Sequence, residues 1–186
     1  MRPFYLEKDM INKKELRILA KDIRKKLDIS TISEKIIDNF VSSSEYEQSL
    51  NILAYHSFSD EVNTHALFKK NGKNWFIPRI NEDDLEVCLY EPNLSKNKFG
   101  ILEPRGVDCQ DPSIIDLVIL PALMVDKRGH RLGYGKGFYD RFLSQNCNSI
   151  NKVVFIPEEL FVETIYPEAH DCAVNLIITQ CNIYRI

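Results

Sequence analysis

The apolar run Leu117-Val-Ile-Leu-Pro-Ala-Leu-Met-Val125 leads directly into a stretch that holds four of the chain's seven glycines, Gly129, Gly133, Gly135 and Gly137. Near-continuous hydrophobicity without polar alternation predicts a central parallel strand buried on both faces, over Ile114 to Leu123. Pro121 falls near its carboxyl end, where a missing N–H need not interrupt the ladder. After the glycines, Phe138 to about Cys147 has the spacing of a helix. Buried strand, glycine-rich loop and helix in that order predict an α/β fold, with the loop at a strand's carboxyl end, where open parallel sheets bind ligands. Alternating glycines lack Cβ atoms and tolerate φ > 0, so backbone N–H groups can converge on an anion. Arg128, Arg131, Lys136 and Arg141 are interleaved with them. The loop therefore reads as an anion cradle, best suited to a polyphosphate.

The remaining segments fit the same frame. Ile11 to about Leu27 predicts an amphipathic helix with Leu16, Leu19, Ala20, Ile23 and Leu27 on one stripe, and Lys13, Arg17, Lys21 and Arg24 on another face. A second helix is expected from Thr31 or Ser33 to Val41, and a third from Val62 to Lys70. Strands are expected at Asn51–Tyr55, Trp75–Arg79, Leu85–Tyr90, Lys152–Ile156 and Cys172–Ile178, with a loop-rich stretch from Asn93 to Asp111. Strands alternating with helices predict a three-layer α/β/α sandwich around a mostly parallel, Rossmann-like sheet, built as one domain over 1–186.

Bulk properties narrow the function. A net charge of −3 does not suit a general nucleic-acid binder. No apolar stretch approaches the ~20 residues that span a bilayer. Five cysteines without a C-x-x-C pair predict incidental thiols in a reducing cytoplasm. The loop is neither G-x-x-x-x-G-K-[ST] nor G-x-G-x-x-G, and neither a G-x-S-x-G nor an H-E-x-x-H is present. Asp140, in the first turn after the loop, and Asp171 leave two readings open: a structural role, for Asp140 beside a helix dipole, or carboxylates that hold Mg²⁺ beside phosphate oxygens. Glu61, beyond the Asn51–Tyr55 strand, can accept hydrogen bonds from a heterocycle bearing amino or amide groups.

The residues Arg131-Leu-Gly-Tyr-Gly-Lys-Gly-Phe-Tyr-Asp140 resemble the hallmark loop of the 5-formyltetrahydrofolate cyclo-ligase family. Lys13-Lys-Glu-Leu-Arg17, Asp60-Glu-Val-Asn-Thr64, Ile77-Pro-Arg79, Phe99-Gly-Ile-Leu-Glu-Pro104, His170-Asp171 and Leu176-Ile-Ile-Thr179 are similar to other family landmarks, in the same order. The segment Phe155–Pro167 departs from the pattern, having no glutamine where the family carries one. The resemblance implies an enzyme that uses ATP and Mg²⁺ to cyclise 5-formyltetrahydrofolate to 5,10-methenyltetrahydrofolate, releasing ADP and phosphate. It implies ATP contacts at Lys13, Arg17 and the loop residues Arg131, Leu132, Gly133, Tyr134, Gly135, Lys136, Gly137, Phe138 and Tyr139, with Arg131 and Lys136 catalytic. It further implies folate contacts at Glu61, Phe99 and Tyr134 to Phe138, and magnesium at Asp140 and Asp171. The expected partners are these small molecules, with neither nucleic acid nor membrane, and the expected state is a monomer. Two other readings stay open at this point: a non-catalytic nucleotide- or folate-binding module, and a sugar-phosphate-handling α/β enzyme.

Overall fold

A computed structural model describes residues 12–146, 150–168 and 171–186. Ile11, Cys147 and His170, which carry expectations above, lie outside the described residues. Helix α1 (Lys13–Arg24) starts where Asn12 and Glu15 form a reciprocal capping box, each side chain accepting from the other's backbone N–H. α2 (Ile29–Val41) starts earlier than its apolar stripe suggests, because the Asp28 carboxylate accepts the Thr31 N–H and makes a cap. A short α3 (Ser44–Gln48) follows, capped by Ser43.

The strands are β1 (Asn51–Ala54), β2 (Asn74–Asn81), β3 (Asp84–Leu89), β4 (Leu94–Lys96), β5 (Leu102–Pro104), β6 (Cys109–Gln110), β7 (Leu117–Leu120), β8 (Met124–Asp126) and β9 (Arg131–Leu132), then, beyond α4 (Phe138–Asn146), β10 (Asn151–Phe155), β11 (Phe161–Val162), β12 (Leu176–Ile178) and β13 (Ile183–Arg185). The main sheet has the order β13-β12-β10-β7-β1-β2-β3-β6. From β12 to β2 the pairs are parallel, and β13, β3 and β6 add antiparallel edges. The period of two divides the core. Leu53, Val118, Leu120 and Val154 pack with Leu16 and Ala20 of α1 and with Phe142 and Leu143 of α4. Ile52, Leu117, Ile119 and Val153 pack with Ile36, Ile37 and Phe40 of α2. This is the expected three-layer sandwich.

Three expectations change. The Val62–Lys70 helix is only a 3-10 turn, Leu67–Lys69. Local side chains capture the backbone there: Thr64 Oγ1 donates to the Tyr55 carbonyl, Asn63 Oδ1 accepts the His65 N–H, and Ser33 Oγ accepts the Asn63 N–H. The central strand stops at Leu120, because Pro121 has no N–H to continue the ladder. The rest of the apolar run leaves the main sheet as β8, which pairs with β9 and β11 in a three-stranded sheet. Arg24, expected on the basic face of the first helix away from its apolar stripe, is buried. It is 1% exposed, and its guanidinium donates to the Asp60 and Ala122 carbonyls.

Cys88 and Cys109, expected as unpaired thiols, face each other across the β3–β6 ladder and form a disulfide. Spacing along the chain gives no sign of this, since the partners meet only through strand pairing. Alkylation of the native, unreduced protein should label Cys181 and Cys172, with Cys88 and Cys109 modified only after reduction. Labelling of Cys88 or Cys109 without reductant would contradict the bond. Among the described residues, no helix is long and apolar enough to cross a membrane.

Candidate active site

Strand order reverses between β1 and β7: the chain runs outward from β1 through β2 and β3, then returns to β7 and builds outward on the other side. Such a switch point opens a crevice beyond the carboxyl ends of the two strands. A cleft of about 640 Å³ lies there, with Tyr55 and His56 following β1 and Pro121 following β7 in its lining. Three further walls complete it: the Glu61 loop, the Phe99 hairpin tip and the loop from Gly133 to Phe138.

The glycines do not act as one cradle. Gly129 (φ +82°) sits in the β8–β9 turn, where a Cβ would fall 2.8 Å from the Val174 carbonyl oxygen. It serves packing against the segment before β12. Gly135 (φ +92°) and Gly137 (φ +73°) belong to the cleft loop. Arg17 crosses that loop from α1, donating from Nε to the Gly133 carbonyl at 2.9 Å. A Cβ on Gly135 would stand 3.2 Å from the Arg17 Cζ, so the close crossing needs glycine. Leu132, expected at the nucleotide, is 1% exposed in the core, and its carbonyl accepts the Leu123 N–H. Its side chain cannot reach a ligand.

The cations sort into distinct roles. Arg128 reaches Thr164 and Asp126, and Arg141 donates to the Asp83 and Lys136 carbonyls. Both brace the loop's surroundings. Arg131 lines the cleft with a side chain only 5% exposed and is paired to Asp140 Oδ1 at 2.6 Å. Its buried Nε has no partner among the described residues. Lys13 contacts Asp171 Oδ2 at 2.9 Å and Glu168 Oε1 at 3.0 Å. Burial alone would lower the Lys13 pKa, but the two carboxylates outweigh it and hold it above the ordinary value. Each expected magnesium carboxylate is thus matched with an expected phosphate cation. Among the described residues, no group of three or more metal-binding side chains gathers around either. Lys136 is exposed in the loop, its ammonium 5.5 Å from the centre of the Phe99 ring.

Across the cleft, Glu61 Oε2 accepts the Phe58 N–H at 2.9 Å and the carboxylate also takes the Tyr134 hydroxyl. Burial raises the Glu61 pKa above the usual carboxylate range, only partly offset by these donors. Burial, then the Glu61 charge, push both Tyr134 and Tyr139 upward, so both remain neutral phenols. The Tyr139 hydroxyl is buried without a partner among the described residues. Phe99 stands 39% exposed at the mouth, with Phe138 edge-on at 6.2 Å. Sequence reasoning missed His56, Lys21 and Glu103 in the lining. Burial, then the neighbouring His65, lower the His56 pKa to about 4, so it is neutral at pH 7. In the segment that departs from the family pattern, Glu158 accepts from the Tyr184 hydroxyl and Glu159 from the Gln180 side-chain amide.

Residues 8–180 match the model of the 5-formyltetrahydrofolate cyclo-ligase family. The chain is 30% identical over 190 residues to the mouse 5-formyltetrahydrofolate cyclo-ligase, covering 90% of this chain and 89% of the mouse protein. It is 32% identical over 140 residues to the Mycolicibacterium smegmatis enzyme of the same name, covering 69% of this chain and 72% of the other. The solution structure of Aquifex aeolicus 5,10-methenyltetrahydrofolate synthetase superposes with a TM-score of 0.82 at 28% identity, over 93% of this chain and 92% of that one. Motif order, fold and relatives agree: the chain belongs to the 5-formyltetrahydrofolate cyclo-ligase family.

Proposed function

We propose that this chain, as a monomeric single domain over 1–186, uses ATP to convert 5-formyltetrahydrofolate to 5,10-methenyltetrahydrofolate, ADP and phosphate. One observation carries the reading. A glycine loop suited to phosphate and two walls suited to a heterocycle, the Glu61 loop and the Phe99 tip, line the same cleft. A formyl group on nitrogen is a poor electrophile and its oxygen a poor leaving group. Attack of the formyl oxygen on the γ-phosphorus expels ADP and leaves an iminium-like phosphate ester. N10 then bonds to the formyl carbon and loses its proton, and the C–O bond breaks to release phosphate. No covalent nucleophile is required of the protein, which supplies position and charge.

Lys136 neutralises the transferring phosphoryl group, and Gly135 and Gly137 let the backbone approach the phosphates. Arg17 holds the loop from α1, while Lys13 and Arg131 exchange carboxylate for phosphate oxygens when ATP enters. Asp140 and Asp171 are hard oxygen donors freed by that exchange, which fits Mg²⁺. When bound, the ion would offset charge on the triphosphate. Glu61 orients the pterin by accepting its N–H groups, and Phe99 offers a ring face. A cytoplasmic setting goes with this reading.

The test mixes purified protein with 5-formyltetrahydrofolate and MgATP and follows methenyl-folate absorbance together with ADP. Equal formation of both is expected. ATP binding without turnover would favour a binding module, and no ATP-dependent product with tight sugar-phosphate binding would favour the sugar-phosphate reading. Gly135→Ala should destabilise the free protein by roughly 1–2 kcal/mol, because a Cβ at this positive φ is strained and crowds the Arg17 guanidinium. It should also weaken ATP binding measured by calorimetry, because the loop backbone then shifts from the phosphates. Unchanged ATP affinity would remove this backbone from the nucleotide site.

A further inference from the structure

The wall that carries Phe99 has the least support from the sheets. β4 and β5 pair only with each other, as a two-stranded sheet apart from the eight-stranded one. The Glu103 side chain ties the tip of this hairpin to the main sheet. Glu103, 8% exposed, accepts the Ile80 N–H of β2 at 2.9 Å and the Asn97 side-chain amide at 2.6 Å, both through Oε1. Asn97 in turn uses Oδ1 to accept the N–H groups of Phe99 at 2.8 Å and Ile101 at 3.1 Å. Backbone bonds from Gly100 to Asn97 and from Asn97 to Ile101 close the turn. A continuous relay therefore runs from β2 through Glu103 and Asn97 to the backbone of Phe99.

Burying a carboxylate is costly unless its hydrogen bonds do something an apolar side chain could not. Here they fix the tip of a hairpin that does not pair with the main sheet, and the ring at that tip lines the cleft, its centre 5.2 Å from the Lys98 ammonium and 5.5 Å from that of Lys136. Stacking gains most when the aromatic face is already in place, because a loose ring must be ordered at the moment of binding. We propose that Glu103 is a positioning residue for the folate: acting through Asn97, it holds Phe99 as a preformed stacking face for the pterin. This rests on the folate-site reading given above.

The test measures KM for 5-formyltetrahydrofolate, kcat, and ATP affinity of the free enzyme by calorimetry. Glu103→Ala and Asn97→Ala should each raise the folate KM about tenfold, with ATP affinity unchanged and kcat moved far less than KM. Glu103→Gln keeps an acceptor oxygen at the same place, so it should restore a folate KM close to the parent's. In a Phe99→Ala background, Glu103→Ala should add nothing, because its effect passes through that ring. An equal loss in Glu103→Gln, or full additivity with Phe99→Ala, would overturn the proposal. Should Glu103→Ala fail to fold, Asn97→Ala decides: it leaves the Glu103–Ile80 bond intact and severs the link from Glu103 to the tip backbone at Phe99 and Ile101, so an unchanged folate KM would overturn the relay. The two levels separate cleanly. Phe99→Ala without effect on the folate KM would sink the folate-wall reading, whereas a large Phe99→Ala effect with none from Glu103→Ala or Asn97→Ala would sink the positioning role alone.

Discussion

Lys136→Ala lowers kcat for ATP-dependent cyclisation by about 10²–10³-fold, the usual loss when one preorganised group facing transition-state charge is removed. The size follows from the chemistry. Negative charge spreads over the transferring phosphoryl oxygens as the formyl oxygen attacks, and the ammonium at the centre of the loop is the most exposed of the cleft cations proposed to meet it. Arg131 is already paired to Asp140 and Lys13 to Asp171. The fold should not suffer, because the Lys136 side chain is exposed and its ammonium stands 5.5 Å from the centre of the Phe99 ring. The variant should therefore melt with the parent protein while turnover collapses. Lys136→Arg should recover part of the rate, since it restores charge with a different shape. A Lys136→Ala kcat within about threefold of the parent would remove Lys136 from this role.

Glu61→Gln should lower kcat/KM for the folate by about 10²-fold while making the free protein more stable at pH 7. The first effect arises because an amide turns one of two acceptor oxygens into a donor facing the pterin's own N–H groups. The second follows from the raised pKa that burial imposes on Glu61. The folded protein holds this proton more tightly than the unfolded chain does. Stability is therefore lost as pH rises from the unfolded value, about 4.3, through the folded one, and the loss is complete above both. Glutamine has no proton to lose, so the variant's advantage should be present at pH 7 and vanish in acid. The acid limb of the kcat/KM profile that comes from protonating Glu61 should disappear with it. A variant less stable than the parent at pH 7, with unchanged folate kinetics, would contradict both parts.

Much of the fold is legible along the chain because its signals are local. The buried β7, the cleft loop and α4 follow one another in sequence, and the alternation of Leu117 and Ile119 with Val118 and Leu120 divides the two faces of the core. What could not be read depends on distant partners. Helical spacing places Arg24 beside Lys13 and Arg17, but only the meeting of α1 with the Asp60 and Ala122 carbonyls explains why it is buried. Gly129 looks like part of the same cradle as Gly135, yet it answers to Val174. The Cys88–Cys109 bond and the Glu103 relay likewise form only when β3, β6 and β2 are in place. The landmark Phe99–Pro104 falls in the lining of the cleft, but its sequence gives no sign that Glu103 bonds to Ile80 and Asn97.

The central claim is that the formyl oxygen becomes a phosphate oxygen. It is tested most directly by giving the enzyme MgATP and 5-formyltetrahydrofolate carrying a heavy-oxygen label in the formyl group, then examining the released phosphate by mass spectrometry. Phosphoryl transfer to that oxygen predicts one labelled oxygen in each phosphate formed with methenyl-folate. Label appearing in water, with unlabelled phosphate, would contradict it.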